Sequence, residues 1–417
     1  MSRPTQMNTG RRRFMMGAGA LAAAATIPHA LFAYTGSSSR LVVVILRGAL
    51  DGLAAVPPYG DPDYASLHRE LAIAAPGAAD GALALNDTFA LHPSLSFLHE
   101  RFAARELVVF NAVASPYRDR SHFDGQNVLE NGLTKPMGTA DGWLNRALAA
   151  MPRGGGRLGR SAVAISQNVP LILRGEAAVI SKSPQATPDV DEDLLARLAD
   201  LYSHDDWFSA RLSEALQTEK MVDGATVDTA GGSSAMSKES VKAAYPNRVG
   251  AVARMASELM RSDGGPEIAV IEASGWDTHA NQGGAKGILA TRLAGLDQGL
   301  KSLAEGLGPL WPQTAVLVVT EFGRTAAVNG TRGTDHGTGG CAFLVGGAVR
   351  GGQVIADWPS LSRAALLDNR DLKPTLDLRS VFKGVLDEHM HVDANTLAKR
   401  VFPDSGGARP LQGLIRA

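Results

Sequence analysis

Hydrophobic positions along the chain gather into short unbroken runs with helical patterns between them. Residues 41–46 read LVVVIL, without polar alternation, as do strands buried on both faces of a parallel sheet. Similar runs recur at 107–110, 162–165, 268–271, 315–320 and 342–345. Segments 94–104 and 287–307 instead carry apolar residues at helical spacing. Strands alternating with helices predict an α/β protein with a mostly parallel central sheet and helices on both faces. No repeat or long low-complexity linker divides residues 40–417, which read as one large domain. Strand signals vanish from 187 to 249, where charged helical stretches flank a segment rich in Gly, Ser and Ala at 224–236. This predicts a helical insertion with a loop, serving either as a lid or as peripheral packing.

The N-terminus adds an address. Arg11, Arg12 and Arg13 precede Phe14, Met15 and Met16, and small apolar residues fill 17–27. An arginine pair ahead of a weakly hydrophobic stretch is the twin-arginine export signal. The stretch falls short of the roughly 20 strongly apolar residues of a permanent anchor, so residues 1–33 are expected to be removed near Ala30 or Ala33. The twin-arginine translocase is the expected partner during export, and the periplasm, or another exported location, is the destination.

Composition narrows the classes. The chain is 45% hydrophobic and 20% charged with a net charge of −1, which suits a globular protein and argues against a nucleic-acid partner. No segment after the signal is apolar enough for a stable membrane span. The single cysteine, Cys341, excludes an intrachain disulfide and a cysteine-rich metal site.

Chemistry-bearing residues concentrate just after predicted strands, where open α/β sheets place ligand sites. Asp51 follows the first run in a glycine-flanked loop, placed to ligate a metal or to cap the next turn. After 107–110 come Ser115, Arg118, Arg120 and Ser121, the last at an expected helix start. There it is either a nucleophile helped by the helix dipole or an N-cap. Asp277 and His279 share a polar loop after 268–271, spaced to reach one cation. The segment after 315–320 is the richest: Glu321 and Arg324, then Asp335 and His336 within GTDHGTGG. Its glycines let backbone approach a bound anion closely.

The ordered segments LVVVILRGALDGL, RSHFDGQNVLENG, GWDTHANQ, VVTEFGRT and GTDHGTGG, behind a twin-arginine leader, resemble a large exported bacterial family catalogued as a domain of unknown function. That family is placed in the alkaline-phosphatase-like superfamily, with sulfatases, phosphodiesterases and cofactor-independent phosphoglycerate mutases. The resemblance covers nearly the whole chain after the leader. It implies Asp51 as the first-strand metal ligand, Ser121 as nucleophile, Asp277 and His279 as a ligand pair, and His336 as a late ligand. Glu321 falls where relatives carry an adjacent Asp-His pair, a departure that puts a second metal in question. The sulfatase signature is absent around Ser121, which favours a phosphate over a sulfate ester.

The resulting expectation is an exported metal-dependent hydrolase acting on a small anionic ester or envelope polymer. One or two divalent ions (zinc, manganese, magnesium or calcium) would be held by Asp51, Asp277, His279 and His336, with Glu321 or Asp335 completing the set. Ser121 would attack while Arg120 or Arg324 offsets charge on the equatorial oxygens. Two other readings follow from the same residues: a non-catalytic cell-envelope binding or assembly protein that keeps the fold, and a transferase of a phospho-headgroup.

Overall fold

The computed structural model describes residues 39–151, 161–183 and 238–416. The expected signal at 1–33 lies outside the described residues, as does most of the expected insertion at 187–249.

In chain order the strands are β1 (Arg40–Arg47), β2 (Leu83–Ala84), β3 (Ala90–Leu91), β4 (Leu107–Ala114), β5 (Ala162–Ile165), β6 (Val179–Ser181), β7 (Ile268–Ser274), β8 (Thr314–Thr320), β9 (Gly340–Val345), β10 (Gln353–Ile355) and β11 (Leu376–Asp377). The helices that matter here are α1 (Gly52–Ala55), α2 (Ser96–Ala103), α3 (His122–Asn131), α4 (Trp143–Ala150), α5 (Lys238–Arg261), α6 (Ile288–Leu307) and α7 (Leu378–Glu388).

All six apolar runs lie within strands of one sheet, ordered β10-β4-β9-β8-β1-β7-β5-β6, with β11 also paired to β4. β2 and β3 form a separate small hairpin. β1 sits between β7 and β8, parallel to both. β9 alone among the described strands of this sheet runs against its neighbours β4 and β8. The sheet is therefore mixed but mostly parallel, as expected.

β1 shows how both faces are covered. Val42, Val44 and Leu46 enter a core with residues of α2, α5 and α6, including Leu98, Leu259 and Leu293. The alternate residues Leu41, Val43 and Ile45 enter a second core with Trp143 of α4 and Phe382 of α7. Successive side chains of a strand point to opposite faces, so an unbroken apolar run needs a helix layer on each side. The short strands β6, β10 and β11 have no counterpart among the apolar runs; they are only partly buried and lack the packing that selects a run.

Because β1, β4, β7 and β8 point the same way, the loops that follow them emerge at one sheet edge. The reversed β9 brings the segment preceding it, with Asp335 and His336, to that same edge.

Candidate metal centre

The loops after β1 and β7 are pressed together where they leave the sheet. Gly48 has φ 119°, and a Cβ there would stand 2.7 Å from the backbone nitrogen of Asp277, so only glycine fits. Gly333 serves the neighbouring contact: a Cβ there would meet the His279 carbonyl at 2.3 Å. These contacts lay the Asp335–His336 loop on the Asp277–His279 loop.

Three imidazoles converge at the Asp277 carboxylate. His279 Nε2 is 3.0 Å and His336 Nε2 3.3 Å from Asp277 Oδ1, and the two Nε2 atoms are 2.9 Å apart. His122 Nε2 faces the other oxygen, Oδ2, at 3.4 Å. Ligating atoms of His122, Asp277 and His336 all lie within 4.8 Å of one another.

Each imidazole is held by its other nitrogen. His122 Nδ1 donates to Glu321 Oε1 at 2.8 Å, His279 Nδ1 to Asp335 Oδ1 at 3.1 Å, and His336 Nδ1 to the Arg120 carbonyl at 2.9 Å. Carbonyls and ionised carboxylates only accept, so each Nδ1 is a donor in these contacts; with the Asp277 carboxylate given to a cation, the proton of each neutral ring stays on Nδ1 and its Nε2 lone pair points at the cluster. Two lone pairs 2.9 Å apart repel unless a cation or a shared proton lies between them. Atoms that each lie about 2.0–2.2 Å from one ion stand roughly 2.8–3.1 Å apart at right angles and roughly 3.3–3.6 Å apart in a tetrahedron, which together bracket the Asp277–His279–His336 spacings of 2.9, 3.0 and 3.3 Å. Carboxylate- and carbonyl-anchored histidines are also the usual outer support of a metal site. The donor set thus fits a divalent ion.

The electrostatics follow the contacts. The bond to Glu321 lifts His122 above the usual imidazole range, against its partial burial. Burial pushes the Glu321 carboxyl up, but His122, Gln126 and the Gly48 N–H together bring it below its ordinary value. Burial likewise opposes ionisation of Asp277, and the Arg324 guanidinium outweighs it to hold that carboxyl low. Bonds from Asn329 and then His279 hold Asp335 below its usual range. Burial lowers His336, an effect that favours the neutral, metal-binding form.

Of the residues singled out in the sequence, Asp277, His279 and His336 meet directly, with Asp335 and Glu321 behind them. Asp51 stands apart. It is buried at the start of α1, where Oδ1 accepts from the N–H groups of Leu53 and Ala54 and Oδ2 from Gln282 Nε2 at 2.8 Å. His68 Nε2 lies 3.8 Å from that second oxygen. Arg324 is buried and committed: Nη1 donates to Asp277 Oδ1 at 2.6 Å, Nε to the Thr334 hydroxyl at 3.2 Å, and Nη2 to the Thr334 carbonyl. Arg120 is paired with Asp371 and Asp368. Its backbone has φ 60°, the strained left-handed region, and its carbonyl holds His336. Ser121 caps α3, accepting weakly from the Asp124 N–H at 3.5 Å, and stands between Arg120 and His122. Arg118 Nη1 donates to the carbonyls of Ser115 and Tyr117. Cys341 is buried in β9 with a free thiol.

His122 is the member that sequence reasoning passed over. Its signal was its place at a helix start beside a serine in a loop after a strand, a position also open to any capping-turn residue.

No curated protein matches the chain significantly. Among solved structures it is similar to Ps i-CgsB in complex with k-i-k-neocarrahexaose, at 8% identity and TM-score 0.38 over 89% of this chain and 77% of that one. It is also similar to the phosphonate monoester hydrolase of Agrobacterium radiobacter, at 10% identity and TM-score 0.38 over 85% of this chain and 74% of that one. The family model described as "Protein of unknown function (DUF1501)" matches residues 38–401, so the chain, with its α/β sheet and its histidine–aspartate cluster, belongs to that family.

Proposed function

We propose that this protein is an exported, metal-dependent hydrolase of a phosphate ester. The observation that carries the reading is the convergence of three Nδ1-anchored imidazoles on the Asp277 carboxylate, with two Nε2 atoms 2.9 Å apart. Asp277, His279 and His336 would hold one divalent ion and His122 would add a fourth donor. Such an ion polarises an ester oxygen and lowers the pKa of a coordinated hydroxyl or water.

The chain's own groups supply the rest. Ser121 Oγ, at the N-terminus of α3, would form the bond to phosphorus as the ester P–O bond breaks and the alcohol leaves; water would then release phosphate. The helix start offers N–H groups and a dipole suited to an anion. Glu321 and Asp335 would fix two rings, the Arg120 carbonyl the third, and Arg324 the Asp277 carboxylate. With both guanidiniums bonded internally, we assign Arg120 and Arg324 to positioning rather than to the substrate. The arginine pair at Arg11 and Arg12 supports export to the periplasm.

A second reading, a non-catalytic envelope binding protein that retains one ion, is favoured by Glu321. That carboxylate is fully buried and taken up by His122, Gln126, Thr320 and the Gly48 N–H, so it is not free to serve a second ion. Hydrolysis of an aryl phosphate by purified, metal-analysed protein separates the two. Turnover abolished by chelator and restored by one equivalent of a divalent ion supports the hydrolase. Stoichiometric metal without turnover on any phosphate or sulfate ester leaves the binder.

A further inference from the structure

Beside the cluster, the α3 face carrying Phe123, Gln126, Asn127 and Glu130 lines a cleft of about 510 Å3. We infer that this cleft receives an apolar aryl or alkyl group of the ester whose anionic head lies at the histidine–aspartate cluster. The inference rests on the hydrolase reading and adds the class of substrate.

Phe123 is 70% exposed and Met137 60% exposed, and both line the cleft. Among the described residues these are the exposed large hydrophobics. Holding two such side chains in water is unfavourable unless something covers them. Met137 is moreover fixed there against strain. Its φ of 54° lies in the left-handed region, which a non-glycine residue adopts at a cost. The loop is pinned by α3: Met137 N–H donates to Asn127 Oδ1 at 2.8 Å, and Asn131 bonds Leu133 N at 2.7 Å and the Lys135 carbonyl at 3.1 Å. Val169, Pro170 and Leu171 contribute further apolar lining.

Three of the cleft's four charged side chains are tied to one another, and the fourth, Arg174, gives its Nε to the Val169 carbonyl at 2.9 Å. Arg47 donates to Glu130 Oε1 at 2.8 Å, to Glu272 Oε1 at 2.7 Å and to Gln126 Oε1 at 2.8 Å. At Phe123, Met137 and the wall of Val169, Pro170 and Leu171 a ligand would gain by covering apolar surface.

One side chain joins cleft to cluster. Gln126 lies one turn beyond His122 on α3, and its Nε2 donates at 3.1 Å to Glu321 Oε1, the oxygen that also holds His122. An ester with its phosphorus at the start of α3 therefore has its organic group beside Phe123. The volume is that of a small-molecule site, ample for a bicyclic aryl group.

Calorimetric binding of 1-naphthylphosphonate and methylphosphonate to the metal-loaded protein tests this, run beside hydrolysis of naphthyl and methyl phosphate. The expected result is naphthyl binding at least about tenfold tighter than methyl. Phe123→Ala and Met137→Ala should each bring that ratio to within about threefold of one, with metal content retained. Equal affinities in the unaltered protein, or a preference that survives both substitutions, would overturn the inference while hydrolysis of both esters upheld the hydrolase reading. Absence of both binding and turnover would overturn the hydrolase reading and the inference with it.

Discussion

Glu321 Oε1 accepts the Nδ1 proton of His122 at 2.8 Å across 199 residues of sequence, tying the loop after β8 to the first turn of α3. The carboxylate is fully buried, so it orients the ring rather than competing for what the ring binds. Glu321→Gln keeps the shape and removes the charge. Metal affinity should fall roughly 10- to 100-fold, the usual effect of losing an anchoring carboxylate, with the fold retained. Competition with a chromophoric chelator measures it; unchanged affinity would detach Glu321 from the metal centre.

His336→Ala and Asp277→Ala should each lower bound metal and cancel the thermal stabilisation that metal gives the unaltered protein. An ion at 100 times its dissociation constant stabilises by about 2.7 kcal/mol, provided it binds only the folded chain. Metal analysis and melting curves with and without chelator check this. A protein with no stoichiometric divalent metal and identical melts under both conditions would refute the site.

Ser121 has two roles open to it, cap and nucleophile, and their energetics differ. Loss of a cap costs about 1 kcal/mol and asparagine replaces it well. Loss of a nucleophile removes turnover by orders of magnitude with the fold intact. Ser121→Asn should therefore be folded, metal-loaded and inactive on aryl phosphates. Turnover near that of the unaltered protein would leave Ser121 as a cap and shift attack to water or to Ser115.

Asp297 of α6 caps α2 from outside, accepting from the N–H groups of Phe97 at 2.9 Å and Leu98 at 3.0 Å. Asp297→Ala should cost about 1–2 kcal/mol in denaturant unfolding. Burial holds the carboxyl above its usual range, although those N–H bonds pull it down. The folded state therefore binds the proton more tightly than the unfolded chain, whose aspartates titrate near about 3.9. The resulting contribution is full below that pH and is lost as pH rises through the folded value. Relative to Asp297→Asn, the unaltered protein should lose stability as pH climbs from about 4 toward neutrality. A difference independent of pH would contradict this sign.

Replacing Arg11 and Arg12 with lysine should trap the precursor in the cytoplasm, because the address is read from the arginine pair. Fractionation and immunoblotting report it; undiminished periplasmic accumulation would remove the basis for export.

The sequence by itself determined the layers. Unbroken runs such as LVVVIL need apolar cover on both sides, and β1 does send alternate residues into two cores. It also singled out Asp277, His279, Asp335 and His336, which stand in loops beside strands, where open α/β sheets place ligand sites. Strand direction was not legible, because a run buried on both faces reads the same either way; the reversal of β9 was decided by pairing with β4 and β8. Nor was partnership. Asp51 and His122 both stand in the first turn or cap of a helix after a strand, yet His122 reaches Asp277 while Asp51 is enclosed by Leu53, Ala54, Gln282 and Thr334. Spacing along the chain fixes which residues can share a loop, but which loops touch depends on close approaches such as Gly48 against Asp277. That contact exists only once the sheet has brought β1 and β7 side by side.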